Sequence, residues 1–118
     1  MPATKAASAL LTSQSLAAAT SVNSTEWNIS TAYRGRMFVK LTNGAAAPTT
    51  APLVTFFSGE STGTKRTLYT ATGDTVNSSV NHLNCEYGLA DMFANCMITN
   101  GATTAITVEV YGEAATGI

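Results

Sequence analysis

The chain has 118 residues, of which 45% are hydrophobic and only 11% charged, and its net charge is −1. That length allows one domain with one core, large enough to bury about two-thirds of its unfolded surface without metal or disulfide staples. Near-neutral charge excludes a global attraction to nucleic acid or to an anionic membrane, and no apolar run approaches the ~20 residues of a spanning helix.

Ordinary soluble domains carry about 25% charged residues; here Thr, Ala, Ser and Asn fill that place. Disorder needs few apolar residues and high net charge, and this chain has neither. Thr and Val favour strands and short polar residues favour turns, so the composition points to β structure with a hydroxylated surface. All six basic residues (Lys5, Arg34, Arg36, Lys40, Lys65, Arg66) precede position 67, and five of the seven acids (Asp74, Glu86, Asp91, Glu109, Glu113) follow it. In a sandwich, where distant strands interleave, a split along the sequence need not be a split in space.

In chain order, residues 1–9 are small and uncommitted and are expected as a flexible N-terminal arm, with 10–118 as the domain. The apolar run at 6–11 is too short for a signal peptide and reads as mature sequence. Sequons at Asn23, Asn28 and Asn77 are no more than a chain this rich in Ser and Thr yields by chance. Short candidate strands occupy 7–13, 15–19 and 25–29. The clearest strand is 33–42, with Tyr33, Met37, Val39 and Leu41 on one face and Arg34, Arg36, Phe38 and Lys40 on the other. Asn43-Gly44 closes it as a strong turn dipeptide, and the Pro-punctuated stretch 45–52 reads as a loop.

The apolar run 53–57, the strand 65–71 and the weaker strand 75–83 follow, with a hairpin loop at 59–63 and a turn at Gly73-Asp74. Residues 85–91 read as a loop or short helical turn. Residues 92–99 alternate again, Asn100-Gly101 turns the chain, and 105–111 places Ile106, Val108 and Val110 inward. Residues 39–44 (Val-Lys-Leu-Thr-Asn-Gly) and 96–101 (Cys-Met-Ile-Thr-Asn-Gly) echo one another, as common hairpin endings do. About eight strands, several joined by tight turns, predict an all-β antiparallel sandwich or jelly-roll-like fold.

Catalytic chemistry finds no foothold. His82 is the one histidine, no GxSxG is present, and the carboxylates are scattered, so no nucleophile, base and orienting acid assemble by sequence logic. The glycines at 59 and 63 lack the lysine of a phosphate-binding loop and join two strands. Cys85 and Cys96, eleven apart, fit neither CxxC chemistry nor a zinc site. They are two buried thiols or, if their strands are neighbours in an oxidising compartment, a disulfide. The expectation is no enzyme, no cofactor and no metal.

Binding offers more. Arg34, Arg36, Phe38 and Lys40 put three cations and an aromatic on one strand face, a candidate interface for an acidic partner; the competing reading is a charged edge that protects against aggregation. Oligonucleotide binding fits a net acidic chain poorly. Tyr69, Phe93, Tyr111 and Trp27 are candidates for core packing or an oligomer interface.

Several segments together resemble a group of small structural proteins of tailed bacteriophages. The matching segments are Leu10-Leu11-Thr12-Ser13-Gln14-Ser15-Leu16-Ala17, then Glu26-Trp27-Asn28-Ile29-Ser30-Thr31-Ala32-Tyr33. Val39 to Gly44 with Pro48 and Pro52 follows, and Thr107 to Gly112 closes the set. The stretch from Cys85 to Cys96, including Met92 and Phe93, and Met97 just after it lie outside the group's pattern. The resemblance implies a β-sandwich virion component, foremost a capsid decoration (cement) protein bound to the major capsid protein or other virion proteins. Localisation would be the virion, assembled in the host cytoplasm, with a homo-oligomer as a further partner and no nucleic acid or membrane. The alternatives are a neck, collar or tail component, and a carbohydrate- or receptor-binding module using Trp27 and exposed tyrosines as stacking platforms.

Overall fold

The computed structural model describes residues 4–60, 63–88 and 90–116. Nine strands run in chain order: β1 Thr4–Leu16, β2 Ser21–Asn23, β3 Trp27–Asn28, β4 Arg34–Asn43, β5 Leu53–Gly59, β6 Lys65–Thr72, β7 Val80–Tyr87, β8 Phe93–Thr99 and β9 Ile106–Thr116. They pair antiparallel throughout, in a four-stranded sheet ordered β1-β9-β4-β7 and a five-stranded one ordered β2-β8-β5-β6, with β3 also on β8. The described residues contain no helix. The fold is the expected all-β sandwich, with nine strands where the sequence pattern predicts about eight.

Alternation places the core. Met37, Val39 and Leu41 on β4 face inward with Val108 and Val110 on β9. Val54 and Phe56 on β5 meet them from the other sheet with Ala94, Cys96 and Ile98 on β8, all buried. Trp27, from the two-residue β3, lies between the sheets on the bare backbone of Gly35 and Gly112. Tyr87 meets the indole edge-on at 6.1 Å between ring centroids and donates its hydroxyl to the Phe57 carbonyl.

Several boundaries differ from the sequence reading. Residues 85–87, read as loop or helical turn, are the end of β7, where Cys85 and Tyr87 point inward and Glu86 outward. Conversely, 75–79 are loop: the Asp74 carboxylate accepts from the Val76 backbone and the Ser79 hydroxyl, which fixes a turn that competes with strand. The two short strands expected at 7–13 and 15–19 merge into one strand that ends at Leu16, with 17–19 in the turn that follows and two register shifts, between Ala9 and Leu11 and between Leu11 and Gln14. That strand begins at Thr4, so residues 4–9, expected as an arm, pair with β9; residues 1–3 of that arm lie outside the described residues. Ser61 and Thr62 of the 59–63 loop also lie outside them.

Both Asn-Gly dipeptides mark crossings between sheets, not hairpins; among the described strands β5–β6 is the pairing between chain neighbours. Each asparagine is buried and fastens loops. The Asn43 amide donates to the Val76 carbonyl and the Asp74 carboxylate, both at 2.9 Å. The Asn100 amide donates to the carbonyls of Leu16 at 3.0 Å and Thr104 at 2.9 Å.

A Cβ at Gly112 would stand 2.7–2.9 Å from three atoms of the Trp27 indole, a rigid ring held in the core. Gly112→Ala should therefore destabilise the fold by about 1–3 kcal/mol through overpacking. A lower urea midpoint with an unchanged m-value is the expected reading. A midpoint equal to the wild type would mean that the indole does not rest on that backbone.

Candidate interaction surfaces

The register of the four-stranded sheet fixes what lies on its outer face. Along β4 the outward residues are Arg34, Arg36, Phe38, Lys40 and Thr42, so the four candidate interface residues do share one face. Opposite them on β9 stand Ala115, Glu113, Tyr111, Glu109 and Thr107. On the other flank, β7 sets Glu86 opposite Arg36, Asn84 opposite Phe38 and His82 opposite Lys40. The exposed edge strand β1 adds Lys5, Ala7 and Ala9 beside Ala115, Glu113 and Tyr111.

Phe38 and Tyr111 stack at the centre of this face, ring centroids 4.9 Å apart and planes 15° off parallel. Tyr111 is 40% exposed, a large fraction for an aromatic held in a sheet. Charged rows flank the pair. Glu86 accepts from Arg36 at 2.6 Å and from Arg34 at 3.2 Å; their donation and charge hold its carboxyl below the usual carboxylate range. With the folded value depressed, this ion pair contributes above the unfolded carboxyl range and is lost as pH falls through the lower folded value. Lys40 lies directly opposite Glu109.

The register sets acidic residues of the same chain beside the cationic stripe of β4. The basic first half of the chain and the acidic second half interleave here, because β4 is flanked by β9 and β7. The acids are already supplied. What remains is a face of interleaved charges, four cations and three acids, with an aromatic centre.

The five-stranded sheet has a different exterior. Val54, Phe56 and Ser58 point inward on β5, which turns Leu53, Thr55 and Phe57 out. On β8 the same alternation turns out Phe93, Asn95, Met97 and Thr99. Ser21, Asn23 and Asn28 complete it on β2 and β3. Charge enters this face at one end, where Lys65 donates to Glu26 at 2.6 Å and the two neutralise each other. Part of the segment outside the phage-like sequence pattern, with Phe93 and Met97, thus lies in the middle of a mixed surface where Leu53, Phe57, Phe93 and Met97 alternate with Thr55, Asn95 and Thr99.

Other singled-out residues fall elsewhere. Trp27 is 6% exposed, so it cannot serve as a stacking platform for sugars. His82 is exposed on the outer face of β7. Among the described residues no three His, Cys, Asp or Glu side chains gather as metal ligands. Cys85 and Cys96 are free thiols on facing sheets, both buried. Burial pushes each thiol up to about 11, so both stay protonated at neutral pH. Iodoacetamide at pH 8 should therefore leave the folded chain unmodified and alkylate both cysteines in denaturant, as mass spectrometry would count. Rapid modification of either native thiol would contradict this placement.

No family model matches the chain, and no curated protein matches it. Seven chains of solved structures do match. One is the SPBc2 prophage-derived protein YomS, 13% identical, aligned over 98% of this chain and 96% of that one with a TM-score of 0.55. At that identity the likeness is one of fold: this chain shares the β-sandwich architecture of a prophage-derived protein along nearly its whole length.

Proposed function

We propose that the chain is a virion structural protein, a capsid decoration (cement) protein that binds the outer capsid lattice and performs no catalysis. The observation that carries this reading is the exterior of the five-stranded sheet, where Leu53, Phe57, Phe93 and Met97 lie among Thr, Asn and Ser with one neutralised ion pair at the margin. Leu53 is exposed and Phe57, Phe93 and Met97 are half-buried, so a contact would cover apolar surface here, and few ions need to be desolvated when it is covered. Many copies on a repeating lattice turn a modest contact into stable binding through multivalency. The fold likeness to a prophage-derived protein supports a phage setting.

The partner on this reading is the major capsid protein, the location is the particle, and assembly takes place in the host cytoplasm. Gradient-purified particles should contain the chain at a fixed ratio to the major capsid protein, and heads separated from tails should retain it. Recovery with tails alone would favour a neck or tail component, and presence in lysate with absence from particles would defeat the virion reading.

Met97→Lys places an unpaired charge in the middle of the proposed contact. It should reduce incorporation by on the order of tenfold or more, the loss of about 1.4 kcal/mol expected at an interface centre. The melting temperature should stay close to wild type, because Met97 points away from the core. Wild-type incorporation of this variant would remove the five-stranded sheet as the contact.

A further inference from the structure

We propose that the outer face of the four-stranded sheet is a two-fold interface with a second copy of this chain, Tyr111 of one copy lying on the partner's Phe38. The evidence is the pattern of charge around the aromatic pair. Level by level along the sheet, β9 carries Glu113, Tyr111 and Glu109 opposite Arg36, Phe38 and Lys40 on β4. A two-fold axis running along the strands, between β4 and β9, exchanges these two columns and keeps each residue at its own level. Glu113 then meets the partner's Arg36, Tyr111 meets the partner's Phe38, and Glu109 meets the partner's Lys40. Symmetry makes each contact twice.

The other face-to-face arrangement sets the axis across the strands. It would lay Glu113 on the partner's Glu109 and Arg36 on the partner's Lys40, like on like. Charge therefore selects one arrangement and rejects the other. The outer columns agree with the choice. Ala7 and Ala9 on β1 would lie over the partner's Glu86 and Asn84, small side chains leaving room for longer ones. The shallow grooves flanking the aromatic pair, one holding Arg36 and Glu113 and the other Lys40 and Glu109, are where the partner's charged side chains would lie.

The size is adequate for a reversible dimer. Four strands about 4.8 Å apart, over the length from Arg34 to Thr42, cover roughly 600 Å² per copy. The total of about 1,200 Å² is the lower edge of specific interfaces. Face-to-face sheets pack within about 30° of parallel, which this axis permits with a small tilt. An exposed aromatic centre inside a charged rim is the anatomy of such contacts. The proposal is independent of the virion reading, which uses the opposite sheet.

The test is a charge exchange between chains, read by sedimentation equilibrium. Wild type should dimerise reversibly with a dissociation constant on the order of micromolar. Glu109→Lys gives one variant two lysines at that level, and Lys40→Glu gives another two acids. Each should weaken self-association at least about tenfold, since like charges then face across the axis. An equimolar mixture should recover dimers of mixed composition, because the lysines of one chain meet the acids of the other. A merely structural role for the Lys40–Glu109 pair would not restore association in the mixture.

Tyr111→Asp, which puts an acid at the centre of the face, provides a second route and should also yield monomer, with circular dichroism confirming the fold. Wild type that stays monomeric at several hundred micromolar, or variants that associate as tightly as wild type, would overturn the proposal.

Discussion

The sandwich hangs on an indole resting on bare backbone. Trp27 belongs to a two-residue strand held on β8, and so to the five-stranded sheet, yet its ring lies against Gly35 of β4 and Gly112 of β9 in the other. A side chain at Gly112 would collide with the ring and one at Gly35 would crowd it, so the glycines help to set how closely the sheets approach. Tyr87 supports the same contact from β7 and reaches β5 with its hydroxyl. One aromatic cluster thus joins β3, β4, β5, β7 and β9. Strand alternation carries the effect outward. Gly112 is followed back along β9 by Tyr111, and Gly35 sits between Arg34 and Arg36, so the strands seating the wedge inside present the aromatic pair and its charges outside.

The distribution of charge follows from topology. Strand β4 lies between β9 and β7, both drawn from the acidic part of the chain, and its cations meet Glu113, Glu109 and Glu86 across the sheet. Exposed pairs of this sort contribute little to stability, typically under about 1 kcal/mol each. They offset the long-range field of Arg34, Arg36 and Lys40 and leave a local pattern of alternating charge, the feature the proposed two-fold contact would use. The opposite sheet needs no such pattern, because its centre is built from Phe57, Phe93 and Met97 with hydroxyl and amide neighbours.

How much of this was legible in the sequence varied with burial. Strands β4, β8 and β9 alternate cleanly because each has one face in the core, and period alone named Met37, Val39, Leu41, Ile106, Val108 and Val110 as inward, though Tyr33, assigned to the same face, precedes β4 and is exposed. Strand β1 hid its length, since its first six residues are exposed and carry no alternation. The end of β7 hid because Cys85 and Tyr87, which supply its inward face, are weaker markers than Val or Ile. The Asn-Gly pairs read as hairpin turns, a local signal, whereas the buried amides of Asn43 and Asn100 reach the Asp74 turn and the end of β1, 31 and 84 residues away. The cationic row of β4 was visible; its acidic partners were not, because pairing between distant strands is a property of the fold's connectivity and leaves no short-range trace.

The two exteriors differ in how they would limit what can cover them. A neutral apolar face alone would be adhesive toward many surfaces. Polar side chains at its margin, and the Lys65–Glu26 pair at one end, restrict what can be covered without stranding a hydrogen-bonding group. The four-stranded sheet adds a second restriction by charge sign at fixed levels. A pair of chains joined through that sheet would hold their uncharged faces on opposite sides, one free to rest on a lattice and the other turned away from it. Such a particle is bivalent by construction. Its reach would come from the sandwich's thickness, which Trp27 helps to set by spacing the two sheets, and its selectivity from the cross-strand register of β4 and β9.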